Sequence, residues 1–203
     1  MTTGHYICSM KRKIYRENIL QAGQEIMFLN GYNATGIKEI TNKVNIPKGS
    51  FYNHFSSKEE FGLEMLQNYC DSGVAMYQTA LIDSDLNSIE RLDAFFNKLI
   101  KLYKEECNCK LGCIMSNFSV ELADTNEKFR TILDTEFNEC EAIIVECLKQ
   151  AQAEGSVSEN MDCSLIGSFL LNSWHGAIVR MKSTGTTKPL DDFKSTVFSK
   201  LLI

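Results

Sequence analysis

The sequence is poor in proline, with two prolines in 203 residues. Proline interrupts helix interiors, so its scarcity leaves room for long helices. Several long segments also place apolar residues at helical spacing, which is the pattern of amphipathic helices. We therefore predict an all-α fold.

Long apolar runs are missing as well. No stretch reaches the roughly 18 apolar residues that a membrane-spanning helix needs. No apolar core follows the positive charges near the N-terminus, as a secretory signal would require. The sequence thus predicts no membrane partner and a cytoplasmic location. In that compartment the eight cysteines are expected to be mostly reduced thiols and not a disulfide framework.

An overall positive charge is also lacking, since the net charge is −5, but the two parts of the sequence differ. Residues 1–60 contain eight Lys and Arg against five Asp and Glu, whereas the remainder contains thirteen against twenty-one. This asymmetry predicts that any contact with nucleic acid is confined to the first part. The excess is within ordinary variation, so it does not establish DNA binding by itself.

Two short helices joined by a tight turn are predicted between residues 35 and 58, over residues 37–44 and 48–53. Ile37, Ile40 and Val44 share one face, which is expected to pack inward. Pro47 suits the start of the second helix, where its missing N–H is not needed. This is a helix-turn-helix pattern. Polar side chains suited to phosphates and base edges remain to point outward, namely Thr35, Lys38, Lys43, Lys48, Ser50, Tyr52 and His54.

Several spaced elements occur together here: Gly31-Tyr32, Thr35, Ile40, the run Gly49-Ser50-Phe51-Tyr52-Asn53-His54-Phe55, and Lys58-Glu59. Together they resemble the N-terminal signature of the TetR family of bacterial transcription regulators. The resemblance implies an all-helical homodimer with a three-helix DNA-binding head and a larger ligand-binding and dimerisation body on each protomer. It also implies phosphate contacts by Tyr52, His54 and Lys58, and a groove-facing position for Lys38, Lys48, Gly49 and Ser50.

We divide the chain accordingly into a flexible arm (residues 1–10), a helix-turn-helix domain (11–57) and a ligand-binding and dimerisation domain (58–203). In the arm, His5 and Cys8 are weak metal-ligand candidates beside the simpler interpretation of a disordered leader. Lys11, Arg12, Lys13 and Arg16 open the first helix, and this basic start could lie against a phosphate or be solvated.

Helices in the body are predicted over residues 58–82, after an N-cap at Ser88, over 114–123, from 125 or 126 to 154, over 163–182 after an N-cap at Asp162, and after Pro189. The resemblance to the TetR family implies that the helix beginning at Lys58 links the head to the body. A small tilt of it would change the spacing of the two heads, which must reach successive major grooves about 34 Å apart. Ligand binding could therefore weaken DNA binding by a population shift.

The segment 163–182 is apolar around nearly its full circumference. Such a helix must be buried on all sides, and a partner subunit is the simplest cover in a chain of this size. Gly167 and Gly176 would permit close approach of another backbone. We therefore predict a homodimer through the last two helices.

Cys107, Cys109 and Cys113 lie close together around a glycine turn, with Lys110 among them. A nearby cation lowers the pKa of a thiol, which suits a sensor of electrophiles or oxidants. The region beyond Leu111 resembles a TetR subgroup whose members include repressors responding to reactive small molecules. The residues that carry this resemblance are Asn117, Glu121, residues 151–155 and Trp174-His175-Gly176-Ala177. It favours Cys113 as the reactive thiol, and Lys182 could approach it.

Other interpretations stay open. The thiols could only pack in the core, or bind a soft metal with His175, although C-x-C-x3-C lacks the paired spacings of structural zinc. His175 beside Trp174 could be a hydrogen-bonded core residue or line an effector pocket. An enzyme could use Cys113 as nucleophile and His175 as base, but no family-specific motif surrounds either. Gly36 and the modest basic charge also allow an interaction module with a degenerate head.

The sequence thus predicts a homodimeric repressor that binds a palindromic operator in double-stranded DNA. Its release would follow binding of an unknown small-molecule effector, for which a body rich in Phe, Met and Tyr offers an apolar site, or modification of a thiol. The candidate ligand-binding or sensing residues are Cys107, Cys109, Cys113, Trp174, His175 and Lys182. No cofactor, metal or catalytic residue is predicted.

Overall fold

The computed structural model describes residues 3–202, and the side chains of residues 15–202. Over that part of the chain, nine α-helices are followed by one π-helical turn and no strand is present, so the predicted all-α fold is confirmed. None of these helices is long and apolar enough to cross a membrane. The helices are α1 Thr3–Asn30, α2 Ile37–Lys43, α3 Lys48–Tyr52, α4 Lys58–Leu81, α5 Ser88–Glu105, α6 Ile114–Leu122, α7 Glu127–Ala153, α8 Cys163–Thr184 and α9 Lys188–Thr196; the π-helical turn is Val197–Leu201.

Helix α1 begins at Thr3 and not at Lys11, so the helix includes residues 3–10 of the predicted arm. A segment without apolar periodicity has no buried face, but it can still be helical when no proline interrupts it. The side chains of His5 and Cys8 and those of residues 11–13 lie outside the described residues. Arg16 is described, and it stays within the head: its guanidinium donates to the His54 carbonyl, pairs with Glu64 and lies 4.2 Å from the centre of the Phe55 ring.

The head consists of α1, α2 and α3, closed by the start of α4. Phe51 of α3, Phe55 and Phe61 of α4 are buried together, with ring centroids 5.0–5.4 Å apart. This aromatic cluster fixes the orientation of the short helix α3. Gly36 does not interrupt α2, because it lies at the N-cap in an extended conformation (φ −94°, ψ 148°), where glycine is tolerated.

In the body, α4 packs against α5, α6 and α7, while α8 packs against α7 and α9 packs against α8 and α5. The centre of the body is an aromatic group in which Phe96 of α5, Trp174 of α8 and Phe193 of α9 lie 5.0–5.4 Å apart. Asp162 caps α8 as predicted, since its side chain accepts from the N–H groups of Ser164 and Leu165. The predicted N-cap at Ser88 is displaced by one residue: Asn87 caps α5, and the Ser88 hydroxyl donates to Glu154 at 2.8 Å.

Helix α8 is covered by its own chain on one side only. Leu170, Trp174, Ile178 and Met181 are buried, whereas Leu165, Phe169 and Val179 are 65%, 47% and 52% exposed. Gly167 does not face outward as predicted, because a Cβ there would collide with Val145 of α7. Gly176 has open space around it. The chain alone therefore leaves an apolar stripe on α8 uncovered.

Arg91 of α5 holds the corner between α4 and α5. Its guanidinium donates to the carbonyls of Leu81 at 2.7 Å and Leu86 at 2.8 Å and to Gln150 of α7 at 2.9 Å. We expect Arg91→Ala to lower the free energy of unfolding by about 2 kcal/mol, because buried carbonyls lose their donor. Urea unfolding followed by circular dichroism measures the change. Lys98→Ala, an exposed change on the same helix, is the control, and an equal effect of both changes would contradict this role.

Candidate functional site

The outer face of α2 and α3 carries most of the residues predicted to face DNA. Lys38, Lys48 and Gly49 are exposed, Ser50 and His54 are partly exposed, and Tyr52 is 49% exposed. Phe51 on the opposite side of α3 is buried, so its neighbours are held outward. These side chains form one polar surface at the tip of the head, as the helix-turn-helix pattern predicts.

Thr35 is a correction to that set. Its side chain is buried, and its hydroxyl donates to the Gly31 carbonyl at 2.7 Å. A buried carbonyl in a turn needs a donor, and Thr35 supplies it from four residues along the chain. Thr35 therefore holds the turn after α1 and does not face outward.

Lys58 lies at the border of the head. Its ammonium donates to the Tyr32 carbonyl at 2.6 Å and is 4.4 Å from the centre of the Tyr32 ring. Desolvation by burial lowers its pKa, and the charge of Glu121 opposes that shift. Lys58 is only partly exposed, so in this conformation its charge is directed to the turn after α1.

A second group of residues meets inside the body around Cys113, which is the N-cap residue of α6. The Tyr69 hydroxyl of α4 donates to the Cys113 sulfur at 3.7 Å. His175 of α8 lies beside the thiol and lowers its pKa, and its Nδ1 is 2.8 Å from the Ser116 hydroxyl of α6. The fold thus brings together Cys113, Ser116 and His175 from two helices that are distant in sequence.

The environment of Cys113 favours its thiolate. Burial raises the pKa of this thiol, but the hydrogen bond and charge of His175, the backbone of Ser116 and the Tyr69 hydroxyl together outweigh burial and lower the pKa to about 7. Burial instead raises the pKa of Cys140 to about 12 and of Cys147 to about 11. Since thiolates are the reactive form, Cys113 is better suited to react than these two cysteines.

The three cysteines of the predicted cluster lie in different environments. The turn before α6 is made by Asn108 and Cys109, with φ values of 47° and 54°, and not by glycine. Cys107 is half-buried and burial raises the pKa of its thiol. Over the residues whose side chains are described, no group of His, Cys, Asp or Glu could hold a metal ion. The soft-metal interpretation of these thiols with His175 is therefore not supported.

Lys182 lies beside this site without bonding to the thiol. A Cβ on Gly112 would be 2.8 Å from the Lys182 Cδ, and the ammonium is 3.4 Å from the Asn117 side-chain oxygen. The group that lowers the pKa of Cys113 is His175, and not Lys110 as the spacing suggested. His175 is far from the cysteines in sequence, so only its occurrence in the second resemblance pointed to it.

A cavity of about 370 Å³ lies next to the Cys113 site. Tyr69, which bonds to Cys113, and His175, which lowers the pKa of that thiol, form part of the cavity wall, and so does Trp174. Its described lining contains no Asp, Glu, Lys or Arg side chain. A mainly apolar wall without carboxylate, ammonium or guanidinium groups suits a small uncharged ligand.

Two family descriptions match the chain. The family "Bacterial regulatory proteins, tetR family" matches residues 19–65, which include α2 and α3. The family "Tetracyclin repressor-like, C-terminal domain" matches residues 88–197, which include α5 to α9. Head and body therefore match the two parts of one kind of protein.

Similar proteins cover nearly the whole chain. The HTH-type transcriptional repressor DhaR of Mycobacterium sp. (strain GP1) is 34% identical over 193 residues, 95% of each chain. The HTH-type transcriptional repressor NemR of Escherichia coli (strain K12) is 24% identical over 177 residues, 87% of this chain and 88% of NemR.

Solved structures show the same fold. Regulatory protein TetR from Rhodobacter sphaeroides has a TM-score of 0.85 and 26% identity, and the match covers 92% of this chain and 98% of that one. The reduced form of E. coli NemR has a TM-score of 0.83 and 24% identity, with 91% and 95% covered.

The Cys113 environment predicts a measurable pH dependence. Since the pKa of Cys113 is lowered to about 7, its thiolate forms above that pH, and alkylation by a small uncharged maleimide should reach half its maximal rate near pH 7. His175→Phe should slow labelling at pH 7 by more than about tenfold, because each unit of pKa is a factor of ten.

Mass spectrometry of peptides after brief labelling measures both rates. Cys140 in the same sample is the internal control, because burial raises its pKa to about 12 and its labelling should be slow in both proteins. Equal labelling rates for Cys113 and Cys140 would contradict this account.

Proposed function

Because the chain belongs to the TetR family of bacterial regulatory proteins, we propose that it is a homodimeric repressor whose two heads bind a palindromic operator. It is a transcriptional regulator with a helix-turn-helix head. The observation that carries the DNA-binding assignment is the exposed polar surface of α2 and α3, held in place by the buried Phe51. Lys38 and Lys48 supply positive charge on the side that would face the groove, and Tyr52 supplies a hydroxyl for a phosphate contact.

We place the dimer interface on α8 and α9. The stripe of Leu165, Phe169 and Val179 supports this proposal, because three large apolar side chains on one helix face stay exposed in the single chain. A groove of about 310 Å³ continues the surface between α8 and α9 and is lined in part by Phe169, Phe193 and Val197. A second copy of the chain would cover this surface by two-fold symmetry.

We propose further that the effector is a small uncharged electrophile that enters the cavity beside Tyr69 and His175 and reacts with Cys113. The thiolate would add to an activated carbon–carbon double bond: a carbon–sulfur bond forms, the π bond breaks, and the neighbouring carbon takes a proton from water. The cavity lining, which contains no Asp, Glu, Lys or Arg side chain, and the lowered pKa of Cys113 support this assignment. Cys70, Cys140 and Cys147, whose pKa values are all raised by burial, serve as packing groups.

The DNA-binding surface can be tested with DNA from upstream of the protein's own gene. We expect Lys48→Ala to weaken binding by about tenfold and to lower the salt dependence by about one counterion. Tyr52→Phe should weaken binding to specific and unrelated DNA alike, since a phosphate contact carries no sequence information.

Fluorescence anisotropy over a series of salt concentrations measures both effects. Lys101→Ala changes an exposed lysine of α5, and it should leave affinity and salt dependence as they are. If Lys48→Ala and Tyr52→Phe matched that control, the assignment of this face to DNA would be wrong.

The proposed dimer interface can be tested by introducing a charged side chain into it. Phe169→Glu puts a carboxylate into the middle of the α8 stripe, and we expect it to make the protein monomeric at micromolar concentration, because an unpaired charge in an apolar interface is costly. Analytical ultracentrifugation measures the change. Leu86→Glu, at an exposed apolar residue between α4 and α5, is the matched control and should stay dimeric. A dimeric Phe169→Glu protein would exclude this interface.

A further inference from the structure

The two ends of helix α6 contact the two sites proposed above. At its N-terminal end, Cys113 is the N-cap and accepts the Asn117 N–H at 3.0 Å, while Ser116 bonds to His175 at 2.8 Å. At its other end, Glu121 reaches the head. These positions are eight residues apart, which corresponds to about 12 Å along a helix. A short helix of this kind moves as a unit, so displacement of one end is passed to the other.

Glu121 forms a bridge to the turn after α1. Its two carboxylate oxygens accept the backbone N–H groups of Tyr32 at 2.8 Å and Asn33 at 2.6 Å. Gly31 permits this approach, because it has a φ of +81° and a Cβ there would be 2.8 Å from the carboxylate. Hydrogen bonds to a carboxylate are among the stronger ones in proteins. We name this pair of hydrogen bonds the Glu121 bridge.

The residues joined by the bridge belong to the DNA-binding head. Tyr32 also accepts from Lys58 at 2.6 Å, and Thr35 closes the same turn just before α2 begins. The turn therefore sets the position of α2 relative to α4. A change in the Glu121 bridge would alter how the head is held on the body.

Modification of Cys113 would strain this arrangement. The thiol is buried between Tyr69, Ser116 and His175, and Cys113 does not itself line the neighbouring cavity. A group added to the thiol can therefore extend into that cavity only if one of these neighbours moves. In a close-packed interior such a change is felt by the surrounding elements. Of those elements, α6 carries Cys113 itself.

We propose that Glu121 is the positioning residue through which α6 couples the Cys113 site to the head. In the unmodified protein the bridge holds the head in the orientation that binds the operator. An adduct on Cys113 displaces α6, withdraws the carboxylate from the N–H groups of Tyr32 and Asn33, and leaves the head free to change its angle. This inference rests on the proposed function of Cys113 as the sensing thiol, and it assigns the residue that transmits the signal.

The experiment uses the full-length dimer with and without an equimolar amount of N-ethylmaleimide. Hydrogen exchange of a peptide covering residues 29–35 reports on the bridge, and fluorescence anisotropy reports operator affinity. In the wild type we expect alkylation to speed exchange of this peptide and to weaken operator binding by about tenfold. Cys113→Ser should lose both responses.

Glu121→Ala should show fast exchange before alkylation and weaker operator binding, and alkylation should then change its affinity by less than about twofold. Glu121→Gln keeps one acceptor oxygen and should give an intermediate response, which guards against a folding defect in the alanine variant. Glu159→Ala, at an exposed acidic residue before α8, should respond as the wild type does.

Two results would overturn the proposal: alkylation of Cys113 without faster exchange in residues 29–35, or a Glu121→Ala protein that keeps the full wild-type response. Faster exchange with unchanged operator affinity would have a different meaning. The Glu121 bridge would then stand as the contact that responds to Cys113, and the regulation of DNA binding proposed for this thiol would fail.

Discussion

The turn after α1 is the joint on which the arrangement of head and body depends. The Tyr32 ring packs edge-to-face against the rings of Phe118 of α6 and Phe129 of α7, at centroid distances of 5.8 and 5.2 Å. A Cβ on Gly62 of α4 would be 2.5 Å from the same ring. One side chain of the head thus contacts three helices of the body. Such edge-to-face contacts are directional, so they fix an angle as well as a distance.

The reactivity of Cys113 depends on two opposing effects on the pKa of its thiol. Burial alone would raise this pKa. A thiol removed from water holds its proton more firmly, as Cys140 and Cys147 do. Cys113 differs because the fold places an imidazole next to it and orients that imidazole with the Ser116 hydroxyl. A cysteine next to an imidazole could also serve as the nucleophile of an enzyme. In this chain the cysteine and imidazole belong to a transcriptional regulator, as the helix-turn-helix head and the family show.

Features set by local sequence could be predicted. The bounds of α2 and α3 and the cap at Asp162 follow from residues within one helical turn. Features set by contacts between distant segments could not. The pairing of Ser116 with His175 spans 59 residues, and Gly167 faces Val145 of α7 and not a partner. The prediction for Thr35 was wrong because a hydroxyl can bond to a phosphate or to a backbone carbonyl equally well. Here it donates to a carbonyl in the turn after α1.

Lys58 has a further consequence for how the protein would search a chromosome. Its ammonium already has a carbonyl partner at 2.6 Å when no DNA is present. A cation that leaves a good protein partner gains less from a phosphate than one that leaves only water. We expect such a residue to add little to adhesion on random sequence, where contacts are few and mostly electrostatic. It would contribute fully only on the correct site, where the whole head is seated, and the dwell time elsewhere would stay short.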